Sequence, residues 1–268
     1  MTNSTDDYWD IDGTSLQTVA WGIADFGGSL EAPPQLRGQG QTVPYRAGTL
    51  WRRQVPDSRV LTFNMWVSGD DQGLHSGEDR LLENWQQLRA LFWGGVGRQL
   101  AITRRWDGGT KSATALGSFA GGLEPVNFGL QLLRFSADVF LADPWFYGDA
   151  VTLLDGVGAG THAVAIAGDG ASQRLSLTVA GAFANVGIVV KRGDEVLSTL
   201  TSTAQSQVGA SFTVSWPDLI RTGTATGNLS QFTPAQPTWV DLDPSATHIV
   251  VSGTGAGTVT LTYEPAYV

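Results

Sequence analysis

One stretch, Gly129 to Gly148, sets the tightest limit on how this chain folds. Its first part, GLQLLRFSADVFL, is strongly β-prone and stops at Asp143-Pro144. Proline lacks a backbone donor and biases the residue before it away from helix, so a buried strand cannot run through it. Trp145-Phe146-Tyr147 follows at once and is too apolar for a loose linker. The pattern predicts an aromatic plug between two globular parts, with domains over residues 1–148 and 149–268.

Composition changes at the same point. A chain of 268 residues is near the size at which single cores divide. Of 16 Lys and Arg, 12 precede residue 150, and eight of ten tryptophans do so too. The second part is dominated by Gly, Ala, Val, Thr and Ser, which suit short strands and tight turns. Two compositions predict two folds, and the chain as a whole reads as mainly β with one helix.

The charge excludes several partners. A net charge of −9, with no run of more than two basic residues, argues against a nucleic-acid or anionic-membrane surface. There is no cysteine, so neither disulfides nor thiolate metal sites are available. The opening MTNSTDDYWD is acidic and polar, unlike a secretory signal. No apolar run approaches the ~20 residues of a membrane-spanning helix. The expectation is a soluble protein made in a cytoplasm.

In the first part, Leu61, Phe63, Met65 and Val67 alternate with polar neighbours and predict a half-buried strand over 59–67. Shorter strands are predicted over Gln17–Phe26 and Thr42–Trp51. Leu81, Leu82, Trp85, Leu88, Leu91 and Phe92 recur at helical spacing. Ser76 and Asp79 suggest an acidic capping box, and Gly94-Gly95 a left-handed stop. Strands resume over Gln99–Trp106, Ala113–Phe119 and Leu130–Leu141, which makes an α+β domain. From Val151 onward, short runs separated by turn-formers predict an antiparallel β-sandwich. They are Val151–Leu154, His162–Ala167, Arg174–Val179, Val186–Lys191, Glu195–Leu200, Ser211–Trp216, Thr238–Leu242, His248–Val251 and Thr258–Tyr263. Residues Arg221–Pro237 read as one long loop.

Little in the sequence points to catalysis. His75, His162 and His248 sit in unrelated contexts without metal-ligand spacing. Gly108-Gly109-Thr110-Lys111-Ser112 lacks the spacing of a phosphate loop and reads as a hairpin turn. Asp241 and Asp243 flank Leu242 and would share a strand face, around a calcium ion or, more simply, in a strand-end turn before Pro244. Asp10-Ile11-Asp12-Gly13 lacks further calcium ligands. No catalytic residue, metal or cofactor is predicted. A paired-carboxylate glycosidase, whose two acids need only meet in space, has nothing in its favour.

Two segments, Trp51-Arg52-Arg53 and Arg104-Arg105-Trp106, set tryptophan beside arginine pairs, the residue types enriched at protein interfaces. An arginine-rich, lysine-poor chain also follows from a GC-rich genome, so the bias by itself marks no surface. Trp216 ends an alternating strand and points to a core. Trp239 follows Pro237 and could pack inward or stack on a sugar.

The order of these features resembles the distal tail proteins of long, flexible-tailed (siphovirus-type) bacteriophages. The likeness rests on VPYRAGTLW (Val43 to Trp51), the β-run Arg59–Val67 with one helix after it, and the long strand closing in Ala142-Asp143-Pro144-Trp145-Phe146-Tyr147. A sandwich then ends in Thr258–Tyr263 with Glu264-Pro265-Ala266-Tyr267. The resemblance implies a non-enzymatic virion part whose first domain is the belt of a homo-hexameric ring. That ring would join the tail tube protein to the tail-tip and tail-fibre proteins, around a lumen for the tape measure protein and later DNA. The second domain would be a galectin-like sandwich. The location implied is the virion tail tip, assembled in the host bacterial cytoplasm. The alternative is a module recognising host cell-surface carbohydrate through Trp239 and the Arg221–Pro237 loop.

Overall fold

Two facing rows of side chains in the first unit show how alternation becomes a layer. A computed structural model describes residues 8–25, 30, 32–37, 41–42, 49–50, 55–69, 77–128, 131–201, 205–206, 211–216, 220–223 and 241–268. The chain divides into two compact units, one of Met1–Phe146 with Val268 and one of Tyr147–Tyr267. The first contains β1 (Tyr8–Ile11), β2 (Thr14–Ser15), β3 (Trp21–Asp25), β4 (Arg59–Ser68), α1 (Glu78–Trp93), β5 (Leu100–Trp106), β6 (Lys111–Phe128) and β7 (Leu132–Leu141). These strands form an antiparallel sheet in the order β2-β1-β5-β6-β7-β4-β3.

Leu61, Phe63, Met65 and Val67 of β4 are buried, and Val139, Ala137, Phe135 and Leu133 of β7 stand opposite them on the same face. Side chains alternate across a strand, so these two rows make one apolar surface. Helix α1 covers it with Leu81, Leu88 and Phe92. Phe92 lies 5.9 Å from Phe63 and 6.2 Å from Phe135, and Trp85 lies 4.7 Å from Phe135, between ring centroids. Asn84, buried within this contact, donates from Nδ2 to the Ser68 carbonyl at 2.9 Å, which satisfies a polar group that would otherwise be costly.

Three local expectations change. The helix has Gly77, not Ser76, at its N-cap, with no side-chain cap; Ser76 is outside the described residues. The chain instead fixes this end through backbone, Gly77 N–H donating to Gly69 O at 3.2 Å. At the other end Gly94 is right-handed (φ −58°), and the left-handed residue is Gly97 (φ +76°), after two further tight turns. Strand β6 runs on past Phe119 to Phe128, because bulges at Gly121-Gly122 and around Pro125 absorb the residues that break regular pairing. Strand β1 was not anticipated. Of the expected Thr42–Trp51 strand, the described residues show only Gln41–Thr42 paired with Thr49–Leu50.

The second unit contains β8 (Val151–Val157), β9 (Gly160–Ala163), β10 (Leu175–Ala180), β11 (Phe183–Arg192), β12 (Glu195–Thr201), β13 (Ser211–Ser215), β14 (Ile220–Gly223), β15 (His248–Gly255) and β16 (Thr258–Tyr263). They form two five-stranded antiparallel sheets, β8-β16-β10-β13-β14 and β9-β15-β11-β12, the latter completed by Gln205–Ser206 on β11. Leu177, Val179, Phe212, Val214, Leu261 and Tyr263 of the first share a core with Ile188, Val190, Leu200, Ile249 and Val251 of the second. Arg221–Gly223, expected in a loop, pairs with Phe212–Val214; residues 224–240, including the predicted Thr238–Val240, are outside the described residues. The predicted His162–Ala167 strand stops at Ala163. Entry and exit of this unit are stitched together: Gly148 N–H donates to Pro265 O at 2.9 Å, and Arg174 lies 3.8 Å over the Tyr147 ring while pairing with Glu264 at 3.4 Å.

Candidate functional site

Arginine and tryptophan converge at one end of the first unit's sheet. Strand β5 pairs with β1 so that Arg104 stands opposite Trp9 and Arg105 opposite Tyr8. Neighbours in a strand project to opposite faces, so the Arg104-Arg105 pair is divided between them. Arg105 lies on the outer face, where its Nε donates to Asp10 Oδ2 at 2.8 Å. That bond and the adjacent negative charge hold the Arg105 guanidinium above its ordinary pKa. Arg104 lies on the face of the buried Trp9.

From there a ladder of cations and rings runs inward. The Arg104 guanidinium is 5.9 Å from the Trp106 ring and 5.7 Å from the Trp9 ring, and its Nη1 donates to the Val268 carbonyl at 3.2 Å. Trp9 meets Phe63 edge to face at 5.7 Å. It meets Phe146 in the same manner, and Phe146 in turn lies 5.4 Å below the guanidinium of Arg59. Arg59 opens β4 and is almost fully buried. Burial first, and the nearby charge of Arg104 second, push its pKa down to about 10. Most of this ladder is core: Trp9, Phe63, Phe146 and Arg59 are buried, and only Arg104 and Trp106 at its outer end are partly exposed.

The remaining candidates stand apart from it. Trp51, Arg52, Arg53, Trp239 and His75 are outside the described residues. Trp216 is buried in the second unit's core. His162 and His248 lie on paired strands, but His162 stands opposite Ile249, so the two rings project to opposite faces. Asp243 accepts from Ser245 N–H at 2.8 Å in a turn, whereas Asp241 is buried and accepts from Gln173 Nε2 at 3.0 Å; the two do not share a ligand. Asp107–Thr110 forms the hairpin turn between β5 and β6. Among the described residues no three His, Asp or Glu groups could hold a metal. No helix there is long and apolar enough to cross a membrane.

Two features escaped sequence reasoning. Arg59 was only the first residue of the predicted strand, and nothing local signals that Phe146 and Arg104 lie beside it. Trp93, at the last turn of α1, is 56% exposed and rests on Phe119 at 5.8 Å, with Val96 also exposed beside the helix end. The predicted apolar stripe ended at Phe92 and did not single Trp93 out.

No protein-family model matches the chain, and no curated protein sequence does. Solved structures do. The crystal structure of the Dit protein of phage SPP1, described as a paradigm of the hub adsorption apparatus in phages infecting Gram-positive bacteria, superimposes with a TM-score of 0.62 at 16% identity, covering 98% of this chain and 99% of that one. The activated baseplate of phage P2 with calcium gives 0.44 at 9% identity over 98% and 99% of the two chains, too loose a match to define a common fold.

Proposed function

We propose that this chain, which has the fold of a siphophage distal tail protein, is a structural part of a phage tail. The observation that carries this reading is the likeness to the SPP1 protein along nearly the whole of both chains. In the proposal, residues 1–148 form the belt of a homo-hexameric ring and residues 149–268 a galectin-like sandwich. The ring joins the tail tube protein to the tail-tip or baseplate proteins, encloses the tape measure protein, and later lets DNA pass. Such a part needs no reaction centre and resides in the virion.

A closed ring of one subunit type requires two different patches on every copy, because the contacts run head to tail. The Trp93 and Val96 surface suits one of them, since exposed tryptophan supplies a large, stiff contact area. Candidates for the second are the end of β5, where Arg104 and Trp106 lie on one face and Arg105 on the other, and Trp51, Arg52 and Arg53. Native mass spectrometry of the full chain, alone and co-expressed with the neighbouring tail proteins of its virus, tests the proposal. A sixfold species in either condition supports it. A single copy in both removes the ring.

A further inference from the structure

Arg59 is a buried cation with two of its three guanidinium nitrogens unanswered. The residue is 8% exposed, and its Nη1 donates to the Ala32 carbonyl at 3.0 Å. Its Nε and Nη2 are shielded from solvent and meet no acceptor among the described residues. No carboxylate among the described residues forms an ion pair with it. A buried charge without a partner is strongly disfavoured, so proteins rarely leave one in this state. The charge of another cation, Arg104, adds to that cost.

The two idle donors are also a matched pair. The guanidinium is planar, and its Nε–H and one Nη–H lie parallel along one edge, spaced for the two oxygens of a carboxylate. Nη1 is engaged elsewhere, and the flat face is covered by Phe146. The unoccupied part of Arg59 is therefore its bidentate edge.

We propose that the Nε/Nη2 edge of Arg59 is a receptor for one carboxylate, held bidentate and further attracted by the charge of Arg104. The carboxylate comes either from a free small acid or from an acidic side chain of a second copy of this chain. The site does not depend on the phage-tail reading, because a free acid would fill it in an isolated subunit.

The full chain is titrated with sodium formate, with sodium chloride exchanged to keep ionic strength constant. Its thermal midpoint and the Nε–H resonances of its arginines are followed. A free-acid site gives a rise that grows by about 2–4 °C for each tenfold excess over the dissociation constant, and one Nε–H resonance moves saturably, half-way at that constant. Arg59→Lys keeps the charge but lacks the fork, and shifts half-saturation upward by at least about tenfold. If formate does nothing at low protein concentration, the second-copy source requires that Arg59→Lys weaken self-association in dilution experiments. Formate binding unchanged in Arg59→Lys marks an adventitious ion only and overturns the site. Absence of both the formate effect and any change in self-association overturns it as well. The wild-type titration needs no variant, so a misfolded Arg59→Lys leaves the test intact.

Discussion

Trp9 and Phe146 meet edge to face, with ring centroids 5.5 Å apart and planes at 74°. One belongs to the first strand of the sheet and the other follows the proline that ends its last long strand. Both are almost completely buried. The contact therefore ties the two ends of the first unit's chain across its core. Phe146→Ala is expected to cost about 3–5 kcal/mol in urea unfolding, as for other buried aromatics. Combined with Trp9→Ala, the losses fall short of additivity by about 0.5–1.5 kcal/mol, the usual worth of such a ring pair. Full additivity would mean that the rings do not interact.

Asp12 gives the fold a measurable acid response. Burial alone raises its pKa, but this is outweighed by the Ala101 N–H, which donates at 2.9 Å, and by Arg98 at 2.7 Å, so the net shift is downward. Folding thus favours the charged carboxylate. Its contribution is complete above the ordinary aspartate value near 4 and disappears as pH falls through the lower folded-state value. Asp12→Asn should flatten the loss of stability between pH 5 and pH 3, read as the urea midpoint at each pH. Asparagine is the suitable replacement because residue 12 has φ +49°, a conformation that it tolerates.

The bulge in β6 should resist any side chain at Gly122. Its φ is +90°, and an added Cβ would collide with the carbonyl oxygen of Ser136 on β7. Gly122→Ala is expected to destabilise the first unit by about 1–3 kcal/mol. An unchanged denaturation midpoint would show that the strand pair is looser there than its register implies.

Trp93 separates folding from assembly. Being 56% exposed, it contributes little to the subunit core, and Trp93→Ser should change unfolding free energy by less than about 1 kcal/mol. If the ring reading holds, the same substitution reduces oligomer formation in native mass spectra. A variant that assembles as well as the parent removes Trp93 from the interface.

Strong local periodicity made much of this fold legible in advance. The helix announced itself through Leu81, Leu88 and Phe92, and β16 through the strict alternation of Val259, Leu261 and Tyr263. Strand β1 did not, because YWDI is short and hides a buried Asp10 whose partner, Arg105, lies far along the chain. The Arg104-Arg105 dipeptide showed the right residue types but not their separation, since only the pairing with β1 reveals that they face opposite ways. Arg59 was silent for the same reason: its surroundings are assembled from β4, β5 and the segment after β7, and no local pattern encodes them. The helix cap failed as an expectation because backbone contact at Gly69 replaced the side-chain device.

The hydrogen bond from Gly148 to Pro265 places the start and finish of the second unit side by side. A module whose two ends are neighbours can be lifted out of a polypeptide, or exchanged for another of different sequence, with only a short splice to close the gap. Evolution can then rewrite residues 149–264 as a cassette without disturbing the sheet and helix that precede them. Variation between related sequences should accumulate there, while Trp9, Phe63 and Phe146 change together or not at all.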